Sequence, residues 1–135
     1  MNSSSSNFIF SSELSNIPKV FDWLESKLFK LIKNQDKKNT LSLVIQEALA
    51  NAIIHGNKEN KDKNVTLSYC IDKSQISIEV KDEGEGVAIE NKQKDSEHIK
   101  TEDLLKDSGR GIILMKHFCK DVIFKKNSIK LIVEL

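Results

Sequence analysis

The chain has 135 residues, 39% hydrophobic and 30% charged, a balance that fits one globular domain with a real core and excludes a disordered chain. Lys and Arg number 21 against 20 Asp and Glu, so there is no basic surplus of the kind that non-specific nucleic-acid binding needs. No apolar run approaches the roughly 20 residues of a membrane span. No signal peptide is read at the N-terminus, and two cysteines, Cys70 and Cys119, fit a reduced cytoplasmic protein.

Residues 1–7 are rich in Ser and Asn and are expected to form a flexible tail ahead of one domain covering 8–135. Phe8 to Ser12 alternates and predicts a short edge strand. Ser15 is the expected cap of a first helix with Pro18 in its first turn. That helix is expected to point Val20, Phe21, Trp23, Leu24, Leu28, Leu31 and Ile32 inward. A second helix is predicted from about Lys38 to His55, stopped by Gly56-Asn57.

On the second helix, Leu41, Val44, Ile45, Ala48, Leu49 and Ala52 share one face. Steps of four residues drift by about 40° around a helix. Glu47, Asn51 and His55 therefore form a slanted polar stripe beside the apolar face. Asn51 can offer an oxygen to Mg2+, a hard cation, and Glu47 can accept a proton from the same ligand. Taken alone, a solvated helix edge is the plainer explanation of the stripe, and His55 fits a plain helix-end residue.

Val65 to Ile71 and Gln75 to Lys81 read as two strands joined by Asp72-Lys73-Ser74. Asp82-Glu83-Gly84-Glu85-Gly86 follows. A carboxylate at a strand end can accept from an exocyclic amine, and glycines allow close backbone approach; a tight acidic turn explains the motif equally well, because glycine serves both. Residues 88–107 are charged and without a long period, which suits a lid over about 87–110. Ser108-Gly109-Arg110-Gly111 then opens a helix running to Lys120, where free N–H groups and Arg110 can meet an anion. Val122 to Lys126 and Ile129 to Leu135 complete a last hairpin. The order β-α-α-β-β-lid-α-β-β predicts a two-layer α/β sandwich with the helices on one sheet face. The sequence has no P-loop, no dinucleotide fingerprint, no EF-hand, no Ser-nucleophile elbow and no metal-site spacing among its cysteines and histidines.

Taken together and in this order, the motifs resemble the GHKL ATPase superfamily from about Leu41 to Leu135. Glu47-Ala-Leu-Ala-Asn51 resembles its N box, Asp82 to Gly86 its first glycine box, and Gly109 to Gly111 its second. Within the superfamily, Glu47 to Asn57 and Glu102 to Met115 are most similar to the anti-sigma-factor serine kinases of bacterial stress and sporulation control.

The resemblance implies a Bergerat ATP-binding fold, with a mixed, largely antiparallel sheet. It implies that Asn51 holds Mg2+, Asp82 reads the adenine amine of ATP, and Gly84 and Gly86 let base and ribose approach. Ser108, Gly109, Arg110 and Gly111 are implied to bind the phosphates, with Glu47 as general base toward a serine hydroxyl. The implied partners are a STAS-type anti-anti-sigma factor as substrate, a sequestered sigma factor and a second copy of the chain, with no nucleic acid and no membrane. A non-catalytic ATP-binding module of the same fold is the alternative; Glu47 favours the kinase, since binding alone needs no base. A detached histidine-kinase domain is disfavoured, because no histidine precedes His55. One position departs from the family. A Gly-Thr or Gly-Ser usual before the last strand is replaced by Lys126-Asn127-Ser128, and the turn is expected to form because Asn tolerates positive φ.

Overall fold

The computed structural model describes residues 4–84 and 109–134. Five antiparallel strands form one sheet: β1 (Ser4–Ser11), β2 (Asn64–Asp72), β3 (Gln75–Lys81), β4 (Asp121–Lys125) and β5 (Ser128–Glu134), in the order β1-β2-β3-β5-β4. Every described pairing is antiparallel, so no parallel pair of a mixed sheet is seen among these residues. β1 is the expected edge strand, but it begins at Ser4. The long β2 supplies partners for what was read as tail, pairing Ser4 through Asn7 with Ile71 through Ser68.

Alternation along the strands turns Val65, Leu67 and Tyr69 of β2, Ile76, Ile78 and Val80 of β3, and Ile129, Leu131 and Val133 of β5 into the core. Among the described residues three α-helices accompany the sheet: α1 (Ile17–Lys27), α2 (Gln35–Ala50) and α3 (Gly109–Phe118). Val20, Leu24, Leu41, Val44, Ile45, Ala48, Leu49 and Met115 are fully buried in the same cluster. Each large side chain there contributes about 1.5–3 kcal/mol by leaving water. Among the described residues, no helix is long and apolar enough to cross a membrane.

Three helix boundaries differ from expectation for visible reasons. α1 has Pro18 in its first turn as predicted, but its cap position is Asn16, not Ser15. A short 3-10 turn, Leu14–Asn16, precedes it, and Asn16 Nδ2 donates to the Ser11 carbonyl and hydroxyl at 2.9 Å each. After Lys27 the chain tightens into a second 3-10 turn, Phe29–Leu31, which buries Phe29 and leaves Leu31 54% exposed instead of inward. α2 starts earlier than Lys38 because Asn34 caps it, its side-chain oxygen accepting the Lys37 N–H at 3.0 Å.

The β4–β5 turn, Lys126-Asn127, forms without glycine and without a positive φ at Asn127. Its conformation needs no left-handed residue, so the substitution leaves the hairpin intact. Among the described residues, the left-handed non-glycine residues are Lys58, Glu59 and Lys73, the last in the turn between β2 and β3.

Candidate functional site

At its end α2 changes character. Asn51–Gly56 continues the helix as a wider π-type turn, where a plain α-helix to His55 was expected. Such turns re-aim side chains relative to an α-helical path and are frequent at functional sites. The wide turn is tied down by Asn57, which is 1% exposed. The Asn57 N–H donates to Ala52 O at 2.8 Å. Its Nδ2 donates to Asn64 O at 3.0 Å, and its Oδ1 accepts the Glu83 N–H at 2.8 Å. Glu83 returns the link, its Oε1 accepting the Asn64 N–H at 2.7 Å. Asn57 thus joins the helix end, the start of β2 and the segment after β3. The sequence marked it as a stop signal closing the Glu47-to-Asn57 stretch, without a role of its own.

Within this widened turn Asn51 is 6% exposed. Its Oδ1 is the one buried side-chain polar atom among the described residues that has no hydrogen-bond partner. Such an orphan acceptor costs about 1–3 kcal/mol if nothing binds it. Glu47 lies one helical turn earlier and is half-buried. Gly111, in the first turn of α3, packs directly on it: a Cβ at position 111 would lie 2.5 Å from the Glu47 Cβ and Cγ. The glycine therefore allows α3 to close on the helix that carries the carboxylate. The sequence began this helix at about Gly111; the structure begins it at Gly109, so Gly109, Arg110 and Gly111 all lie in its first turn. N–H groups at that position have no intrahelical acceptor.

Asp82 is 4% exposed just past β3. Its Oδ1 accepts the Gly84 N–H at 2.8 Å and Asn127 Nδ2 at 3.1 Å. The carboxylate fills the space that a side chain at position 56 would need, so Gly56 is required there, and a Cβ on Gly84 would collide with the Gly56 carbonyl. The structure therefore joins Asp82, Gly84 and Gly56 at one end of α2, and Glu47 with Gly111 one turn behind Asn51. Gly86, Ser108 and most of the expected lid lie outside the described residues. Sequence reasoning missed Gly56, Asn57 and Asn127 as members of this cluster. Gly56 and Asn57 lie in the Glu47-to-Asn57 stretch that carries the resemblance and Asn127 in the turn that departs from it, but none of the three had a role in the site from sequence alone.

No group of three or more His, Cys, Asp or Glu that could hold a metal exists among the described residues. A groove on the open face of the sheet, lined by Asn7, Cys70, Ser77, Glu79 and Lys130 among others, touches none of the cluster.

Comparison with known proteins gives independent findings. The sequence profile described as histidine kinase-like ATPase domain matches residues 10–135. An anti-sigma F factor of Heyndrickxia coagulans is 43% identical over 81 residues, 58% of this chain and 54% of that protein. One of Clostridium acetobutylicum is 39% identical over 83 residues, 61% of this chain and 56% of that protein. One of Bacillus subtilis (strain 168) is 32% identical over 98 residues, 72% and 66% of the two chains. The chain thus spans between 54% and 66% of the length of these relatives.

Proposed function

The chain belongs to the histidine kinase-like ATPase domain family, and on that premise we propose that it is an anti-sigma factor and serine/threonine protein kinase. In this reading it uses Mg-ATP to phosphorylate a STAS-type anti-anti-sigma factor. The name of the relatives supports the sigma-factor half of the reading. The antiparallel sheet with its accompanying helices is consistent with the Bergerat fold.

The observation that carries the nucleotide reading is the orphan Oδ1 of Asn51, buried one turn from Glu47. An amide oxygen with no donor suits a hard cation that takes oxygen ligands and keeps waters and substrate phosphates for the rest. Asn51 would hold Mg2+, which when bound would neutralise charge on the phosphates. Asp82 offers a carboxylate to the adenine amine. Gly84 and Gly86 leave room for base and ribose, and residues 108–111 offer N–H groups and Arg110 to the phosphates. Glu47 takes the proton of the serine hydroxyl as the serine oxygen forms its bond to the γ-phosphorus and ADP leaves. Phosphoryl transfer asks mainly for positioning and charge stabilisation, and the tight seat of Gly111 on Glu47 supports the positioning.

Cytoplasmic location and a homodimer belong to the same proposal. The test is incubation with Mg-ATP and the STAS-domain proteins of the same organism, read for phosphoserine by mass spectrometry. One partner should be modified, and Glu47→Ala should lose transfer while keeping ATP binding. Transfer retained in Glu47→Ala would refute the general-base role. ATP binding with no partner modified would leave a nucleotide-gated binding module.

A further inference from the structure

We propose that Asn127 is a positioning residue for base recognition, acting through Asp82. The proposal rests on the nucleotide reading of Asp82. Asn127 stands in the turn that departs from the family, and it is bound to the aspartate by side chain and main chain. Its Nδ2 donates both to Asp82 Oδ1, at 3.1 Å, and to the Gly84 carbonyl. Two acceptors on one nitrogen fix which way the amide points, since its oxygen would be repelled by both. The Asn127 carbonyl in turn accepts the Asp82 N–H at 2.8 Å.

The result is an aspartate with one oxygen occupied. Oδ1 takes Asn127 and the Gly84 N–H at 2.8 Å. Oδ2 is seated against Gly56, and among the described residues no donor reaches it. A carboxylate held this way cannot turn to offer either oxygen; it presents Oδ2 to a donor of the ligand. An exocyclic amine is such a donor, and a ring nitrogen with a lone pair is not. Asn127 therefore increases the affinity due to the amine, rather than affinity for the whole nucleotide. Lys126 beside it is exposed and makes no hydrogen bond or ion pair to this cluster among the described residues.

The test compares Mg2+-dependent binding of ATP with that of purine riboside triphosphate, which carries hydrogen in place of the 6-amine. The full chain and its Asn127→Ala and Asn127→Asp variants are titrated with each, below their unfolding midpoints. The unmodified chain should prefer ATP by about tenfold or more, the effect of one hydrogen bond to a charged group. Asn127→Ala should lower the preference to about threefold or less by weakening ATP, with the analogue unchanged. Asn127→Asp keeps the size but sets a second carboxylate against Asp82. It should lose the preference as well, and it carries the test if the alanine variant does not fold. A preference that survives in the variants overturns the role of Asn127 and leaves Asp82 as reader. Equal binding of both nucleotides by the unmodified chain overturns the reading of Asp82 itself.

Discussion

From Gln35 to Ala50, α2 buries Leu41, Val44, Ile45, Ala48 and Leu49 at regular spacing against the sheet. From Asn51 to Gly56 the same helix widens and buries a polar side chain whose oxygen has no partner among the described residues. The first stretch is packed for stability, and any atom removed from it leaves a void. The second is packed as tightly, but against carboxylates and carbonyls, with glycines at the points of closest approach. A segment that buries an orphan acceptor is less stable by itself than one that does not. Under the proposed function, a bound ligand makes up that deficit.

Substitutions separate the two stretches of α2. The largest expected effect is at the apolar end: Leu49→Ala should destabilise the fold by about 3 kcal/mol in chemical denaturation. Its stabilisation by saturating Mg-ATP should remain, since ligand linkage depends on the folded state's affinity alone. Next comes Gly84→Ala, whose Cβ would strike the Gly56 carbonyl. It should cost about 1–3 kcal/mol and, unlike Leu49→Ala, abolish the Mg-ATP shift in melting temperature. An unchanged shift in a folded Gly84→Ala protein would separate this turn from the nucleotide.

Smaller effects sharpen the contrast. Lys73, at φ 58 in a turn far along the chain from both regions, adopts a conformation that favours glycine. Lys73→Gly should gain up to about 1 kcal/mol and leave nucleotide binding alone. Last, burial pushes the Cys119 thiol up from 9.0 to about 11, so the reactive thiolate is scarce at neutral pH. A thiol reagent at pH 7 should modify half-buried Cys70 well before Cys119. Equal rates would mean that the core beside α3 opens readily.

The same contrast explains what could be read from the sequence. Period-two and helical spacing, as in Ile76-Ile78-Val80 and Val44-Ile45-Ala48, marks burial, and the elements built on it appear close to where they were expected. Asn51, Asp82 and Gly84 stood out as polar or glycine positions breaking such patterns. Gly56 and Asn57 were visible only within the resembling stretch and Asn127 only as a departure from the family, because their roles arise from contacts across the chain: Gly56 to Asp82, Asn57 to Asn64 and Glu83, Asn127 to Asp82. Local spacing carries no record of such partners. Helix ends were missed for a related reason. The 3-10 turn that exposes Leu31 and the π-type turn at Asn51 are set by what the flanking segments bond to.

The most direct measurement is a paired one on Asn51→Leu, a swap of similar size that removes the orphan oxygen. Urea denaturation without ligand and the melting-temperature shift with Mg-ATP are read on the same protein. The variant should be at least as stable as the unmodified chain, with a gain of about 1 kcal/mol, and should show no Mg-ATP shift. A variant that loses stability yet keeps the shift would contradict it, because Asn51 would then be a structural residue and the nucleotide would have to bind without it.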